Sequence, residues 1–202
     1  MGTQPMRPAP TSPVAFTIVE LLVVIAVMAI LAAIAIPHFQ PPMNDQLQGA
    51  ASVVAADLDY ARSLAVTNNS TYRVDFSVTE NRYVLTHVGS NAALDTLPAT
   101  PFRPANDAAD EHSCDLDRLP HVGATVQLHA VYKASASPQP VTQLEFGPLG
   151  GTTRPEATVV WLRCGVAASR RFLPITVDPV TGVASIGELQ ASLPEMTATT
   201  TT

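Results

Sequence analysis

The stretch Phe16–Pro37, FTIVELLVVIAVMAILAAIAIP, decides how the rest of the chain is read. Leu21 to Ile36 is sixteen apolar residues without a break, and Phe16 to Ile36 is twenty-one with only Thr17 and Glu20 polar. As a helix rising about 1.5 Å per residue it reaches roughly 30 Å, one hydrocarbon thickness. Such a segment fits a cleaved secretory signal, a plain membrane anchor, or a helix that is first membrane-embedded and later the core of a protein assembly. A secretory signal has a basic start, a shorter apolar run and a small-x-small cleavage site after that run. Here the run is longer, and Pro37-His38-Phe39-Gln40-Pro41-Pro42 follows it. A plain anchor accounts for the length but leaves Glu20 without a role, because a carboxylate within the apolar region costs on the order of 2.5–3.5 kcal/mol on insertion scales. The only basic side chain upstream is Arg7. A cut between Ala15 and Phe16 would create an α-amino group four residues before Glu20. One helical turn separates the two, so the amine can meet Glu20 of its own chain or of a neighbour stacked with a small axial shift.

AFTIVELLVVIAVMAILAAIAIP closely resembles the N-terminal cleavage/methylation segment of type IV pilins and type II secretion pseudopilins. The resemblance implies that an inner-membrane prepilin peptidase cuts after Ala15 and N-methylates Phe16. It further implies that Glu20 sets the register of assembly, and that Pro37 falls at the family's helix break. Ala15 stands where the family has Gly. The leader, MGTQPMRPAPTSPVA, is Pro-rich and carries less positive charge than most. Arg7 and the starting amine give a weak positive-inside signal, which places the N-terminus in the cytoplasm and the rest outside it, in the periplasm.

Working outward, residues 1–15 are read as a leader and 16–42 as the apolar helix with its proline exit. Residues 43–196 form one domain of ordinary size, and 197–202 a Thr-rich disordered tail. The chain of 202 residues carries a net charge of -6, and the first forty-two contribute one cation, Arg7, and one anion, Glu20, which cancel. The domain is therefore equally acidic, which argues against nucleic acid as a partner. Arg170-Arg171 is the only adjacent basic pair. It reads as an outward and an inward-leaning side chain within a strand.

Prolines 41 and 42 interrupt any continuous helix, and a second helix can restart there with Asp45 near its positive end. Leu47, Ala51, Val54, Leu58, Ala61 and Ala65 recur at steps of four and three, and Asn68-Asn69-Ser70 is a stop. From Thr71 the period becomes two: residues 72–78 and 82–88, separated by Thr79-Glu80-Asn81, read as a β-hairpin. Further strands are expected at 124–133, 141–146, 158–163, 172–177 and 182–186. One helix packed on one antiparallel sheet, or on two small ones, gives an α+β fold.

This order resembles the GspH/FimT minor pseudopilins of type II secretion. The matching residues are LDYARSLAVTNNSTYRVDFS, then LEFGPLGGT, TVVWLR and RRFLPITVDPVTGVASI. The resemblance places Phe146 and Gly150 at a turn, Arg171 on the penultimate strand and Gly182 at the last hairpin. It implies a structural subunit of a pseudopilus, working with other pilin-like subunits, the prepilin peptidase and an inner-membrane assembly platform. A type IV pilus minor pilin is the alternative within the fold, and a membrane-anchored enzyme or binding domain is the alternative outside it.

Residues 89–121 fall outside these matches and contain the acidic run DAADEHSCDLD. They read as a solvated acidic loop, because the spacing of the carboxylates, His112 and Cys114 matches neither a calcium hand nor a zinc site. Cys114 and Cys164 are the only cysteines, and an oxidising compartment makes a disulfide between them the simplest expectation. The five histidines are scattered, no nucleophile or phosphate-loop motif appears, and the chain is expected to need no cofactor and to be no enzyme.

Overall fold

The computed structural model describes residues 16–35, 42–98, 107–120, 122 and 125–193. The expected leader, Ala15, Pro37 and the Thr-rich tail lie outside the described residues. The chain divides into two units, Met1–Gln40 and Pro41–Thr202.

In the first unit, α1 spans Ile18–Ala35. Thr17 caps it, its Oγ1 accepting the Glu20 amide at 3.2 Å. The apolar side chains Phe16, Ile18, Val19 and Leu21 through Ile25, which point to every side of the helix, are all about half exposed or more. At 1.5 Å per residue its described length is about 27 Å, short of the roughly 30 Å hydrocarbon core. Among the described residues no helix is long and apolar enough to cross a membrane.

The second unit is built on α2, Met43–Thr67. Pro42 precedes it and accepts the Asp45 and Gln46 amides at 2.9 and 3.1 Å, so the proline serves as the cap residue and its missing N–H costs nothing. The helix ends in a Schellman turn: Asn69 takes the left-handed conformation at φ 47, and the amides of Asn69 and Ser70 return to the Val66 and Ala65 carbonyls. The expected stripe is the buried face, extended by Ala50, Ala55 and Leu64. Five of those nine buried side chains are alanines, which let the helix axis approach the sheets closely.

Among the described residues nine strands follow: β1 Tyr72–Ser77, β2 Arg82–His87, β3 Glu111–Asp115, β4 Val126–Lys133, β5 Gln139–Pro140, β6 Gln143–Phe146, β7 Thr158–Cys164, β8 Arg171–Val177 and β9 Ala184–Ile186. They form two antiparallel sheets, ordered β3-β2-β1-β6 and β5-β4-β7-β8-β9. The β1–β2 hairpin pairs Tyr72 with His87 and Ser77 with Arg82. Its inward side chains, Tyr72, Val74, Phe76, Tyr83 and Leu85, meet α2 together with Leu128, Val160, Leu162, Leu173 and Ile175 of the other sheet. α2 packs against strands of both sheets, and the single core lies under it.

Two expectations are corrected. Residues 89–121 are not simply a solvated loop: β3 lies inside the acidic run and pairs with β2, Thr86 to Glu111 and Arg82 to Asp115. Glu111 and Asp115 point outward, whereas His112 and Cys114 point in at 7% and 8% exposure. The alternation was hidden because the inward residues are not the usual apolar ones. The Arg170-Arg171 pair straddles the start of β8 instead of lying inside a strand, and both side chains are half-buried.

The outer strands of the first sheet have outward backbone groups occupied, which hinders further pairing at these edges. Asp107 accepts the Ser113 amide of β3 at 2.7 Å, while Thr153 N and Arg154 Nη1 occupy the Glu145 and Gln143 carbonyls of β6 at 3.0 and 2.7 Å.

Candidate functional site

Phe16 and Glu20, the two expected assembly residues that fall among the described ones, both lie exposed at the start of α1. Thr17-Ile18-Val19-Glu20 has the form of a capping box, with Thr17 at the cap and Glu20 at the third helical position. The carboxylate also sits in the first turn, where the helix dipole favours negative charge. Among the described residues no ion pair engages Glu20. A helix apolar on every side has to be covered by lipid or by other helices. Ala15 and Pro37, the other two residues assigned to this segment, fall outside the described residues.

Behind α2 lies a polar network that the sequence did not reveal. Tyr83 Oη donates to Asp57 Oδ2 at 2.6 Å, tying the hairpin to the helix. His112 Nε2 stands 3.8 Å from Asp57 Oδ1, and the Tyr60 ring meets the His112 ring edge-on at 6.3 Å. Burial, reinforced by the Asp57 charge, pushes the Tyr83 phenol well above its ordinary range. Among the described residues no group of three or more His, Cys, Asp and Glu is placed to hold a metal ion.

Cys114 belongs to this network, beside Tyr83, whereas Cys164 ends β7 in the other sheet. Both are buried free thiols, so the expected disulfide is not formed: each side chain is committed to the packing of its own sheet. Burial is the main reason the Cys114 thiol is pushed up to about 11. At pH 8 roughly one such thiol in a thousand is ionised, against about a quarter of ordinary cysteines. In non-reducing mass spectrometry the native protein should show two thiols, both resisting alkylation at pH 8 until a denaturant is added. A mass two units below the reduced form would overturn the assignment.

One arrangement has the outward form of a nucleophile with its base. Ser70 Oγ is 2.7 Å from His87 Nε2, and His87 Nδ1 is 2.7 Å from Asp95 Oδ1. The sequence separation of these residues concealed the grouping. Gly89 decides its use: a Cβ there would lie 2.0 Å from Ser70 Oγ and 2.7 Å from His87 Nε2, so the backbone at Gly89 sits directly over the pair. On that side the Gly89 backbone stands where an attacked carbonyl carbon, about 3 Å from the hydroxyl, would have to approach, and the His87 side chain is fully buried. The His87 ring packs on Tyr72 at 5.0 Å, and the relay clasps the segment after β2 to the end of α2.

Asn81 is a second residue whose role was not legible. At φ 51 and 8% exposure it closes the β1–β2 turn. Its side chain donates to Asp117 Oδ1 and to the Val126 carbonyl at 2.7 and 3.0 Å, and accepts the Leu128 amide at 2.7 Å. The turn of one sheet is thereby fastened to β4 of the other. Its outer side borders an open polar cavity lined by Glu80, Asp117, Gln127, His129 and Arg163. Burial is the main reason that His129 is pushed down, with Arg163 and Arg170 adding repulsion.

A long helix with an alanine-rich buried face, laid across antiparallel sheets and preceded by an apolar segment, defines the chain as a pilin-like α+β protein. The chain belongs to the family described as Type II transport protein GspH, whose model matches residues 50–182. That span, about two thirds of the chain, runs from α2 to Gly182 at the turn before β9. Phe146, Gly150, Arg171 and Gly182 occupy the places the resemblance gave them: the end of β6, the following turn at φ 86, the start of β8 and the last turn at φ 67. The family consists of structural pilin and pseudopilin subunits, which are not enzymes.

Among solved structures, the type IV minor pilin FimU of Pseudomonas aeruginosa is similar at 20% identity, covering 70% of this chain and 93% of that one, with a TM-score of 0.43. Its second crystal form gives 20% identity, 75% and 95% coverage and 0.45. The minor pseudopilin EpsH of the Vibrio cholerae Type 2 Secretion System gives 10% identity, 70% and 94% coverage and 0.47. No curated protein sequence matches.

Proposed function

We propose that the chain is a minor pseudopilin of a type II secretion pseudopilus, a structural subunit with no catalytic role. The observation that carries this reading is the GspH family match over residues 50–182, from within α2 through β8. The uncovered apolar surface of α1 supports it. The prepilin peptidase removes residues 1–15 and methylates Phe16. The helix sits in the inner membrane with its N-terminus cytoplasmic and the domain periplasmic, then passes through the assembly platform into the filament. Its apolar surface is reburied there against neighbouring helices. The methylated Phe16 amine pairs with Glu20 of an adjacent subunit and sets the axial register.

Two substitutions test the charge against the cap. Glu20→Ala is expected to lower incorporation into sheared filaments, and export with it, at least tenfold. Glu20→Gln keeps the capping-box residue type and removes only the charge. Pairing predicts that Gln fails like Ala, whereas rescue by Gln would reduce Glu20 to a helix cap. N-terminal sequencing of the mature protein should begin at methylated Phe16.

A further inference from the structure

The end of α2, the turn after β6 and the turn between β8 and β9 interlock into one rigid tip. Arg62 Nε donates to the Thr181 carbonyl at 2.6 Å, and Thr152 N to the Pro179 carbonyl at 2.8 Å. Gly147 to Gly150 is a β-turn closed by Gly150 N on the Gly147 carbonyl at 2.9 Å. The Asp178 carboxylate accepts Val180 N, Thr181 N and Thr181 Oγ1 at 3.0, 2.8 and 2.9 Å. A Cβ on Gly151 would stand 2.7 Å from the Val180 carbonyl, which shows how closely the two turns are pressed together.

On this frame Leu149 is 96% exposed, Val180 81% and Val66 48%. A β-turn does not call for leucine at its third position; small and polar residues serve turns better. An apolar side chain held rigidly in water is preorganised for a partner, since little ordering remains to be done on binding.

We infer that Leu149, Val180 and Val66 form a docking knob for the domain of a neighbouring pilin-like subunit, which rests on the assembly reading above. The size of the knob decides the occupant. A few side chains cannot cover the roughly 1,200 Å² that a free-standing complex needs. They suffice for a neighbour already confined beside this chain, where tethering supplies an effective concentration on the order of millimolar. An apolar helix such as α1, exposed on all sides, is such a tether, and a soluble exported protein has none.

The test places a benzophenone amino acid at position 149, 180 or 118 of the full-length chain in its host membrane, with cross-linked partners identified by mass spectrometry. Arg118 is the control: its side chain is 76% exposed, and the residues next to it, Leu119 and Pro120, line a groove with Asp45 and Gly49 near the opposite end of α2. Positions 149 and 180 should cross-link to a chain bearing a prepilin-type N-terminal helix, and position 118 should not. With the probe at 180, Leu149→Asp should lower the yield about tenfold, consistent with losing the burial of one leucine. Equal yields at 149 and 118, or cross-links only to proteins lacking such a helix, overturn the knob while leaving assembly intact. A chain that is never processed at Phe16 and never found in filaments overturns the assembly reading first, and the knob with it.

Discussion

Replacing Asn81 by alanine is expected to destabilise the protein by about 3 kcal/mol, because three polar groups lose their partner at once. Two of them belong to the backbone of β4, at Val126 and Leu128, which are 0% and 2% exposed, so water does not replace the lost bonds. A buried amide or carbonyl left unpaired costs about 1–3 kcal/mol, and alanine at φ 51 adds a further strain of about 1 kcal/mol. For a domain of this size 3 kcal/mol lowers the melting temperature by about 10 °C. Trp161, the only tryptophan and 5% exposed in β7, reports the transition by fluorescence in the detergent-solubilised chain. Asn81→Gly removes the same bonds without the strain and should fall between alanine and the natural protein. Asn81→Asp keeps the acceptor for Leu128 but sets a second carboxylate against Asp117. Its deficit should shrink as the pH falls into the carboxylate range and one of the two takes a proton. A melting temperature within 2 °C of the natural protein for Asn81→Ala would show that the two sheets are held together without this residue.

Asn81 also marks where the sequence stops being informative. Its presence in a turn follows from residue type and from the change of period on either side of it. Its bonds to β4 do not, because they join residues more than forty positions apart, and no local pattern encodes which loop a turn will meet. The same division runs through the fold. The α2 stripe and the hairpin were legible because each buries one face, so the apolar period reports the geometry directly. β3 was not, because its inward residues are His112 and Cys114, which Asp57 of α2 and Tyr83 of β2 accommodate. The Cys114–Cys164 pairing failed for a related reason: spacing along the chain carries no information about which sheet a strand joins. The segment proposed to drive assembly is the opposite case. Phe16, Thr17 and Glu20 lie within five consecutive residues at the start of α1, so the chemistry proposed for them can be read locally.

Gly182→Ala should be as damaging as the loss of Asn81, and Gly147→Ala, in the same tip, nearly silent. The two glycines differ in what their missing side chains make room for. At Gly182 a Cβ would stand 1.9 Å from the Gly150 carbonyl oxygen and 3.2 Å from Arg62 Cδ, at a φ of 67. Left-handed strain of about 1 kcal/mol and an overpacking cost of about 1–3 kcal/mol act together, for a loss of about 3 kcal/mol. The contact is with backbone, so no side-chain rotation relieves it; the turn before β9 has to lift away from the turn after β6. At Gly147 the nearest atom to a Cβ is the Gly151 carbonyl at 3.8 Å, ordinary van der Waals contact, and alanine should change stability by less than about 0.5 kcal/mol. Lifting the turn breaks the Arg62 bond to Thr181 and separates Val180 from Leu149. Gly182→Ala should therefore weaken cross-linking from position 149 even at a temperature where the domain remains folded, whereas Gly147→Ala should not. If Gly182→Ala unfolds the domain at a lower temperature yet leaves that cross-link at full yield below the transition, Leu149 docks without support from the Val180 turn. The knob then reduces to the single turn Gly147–Gly150.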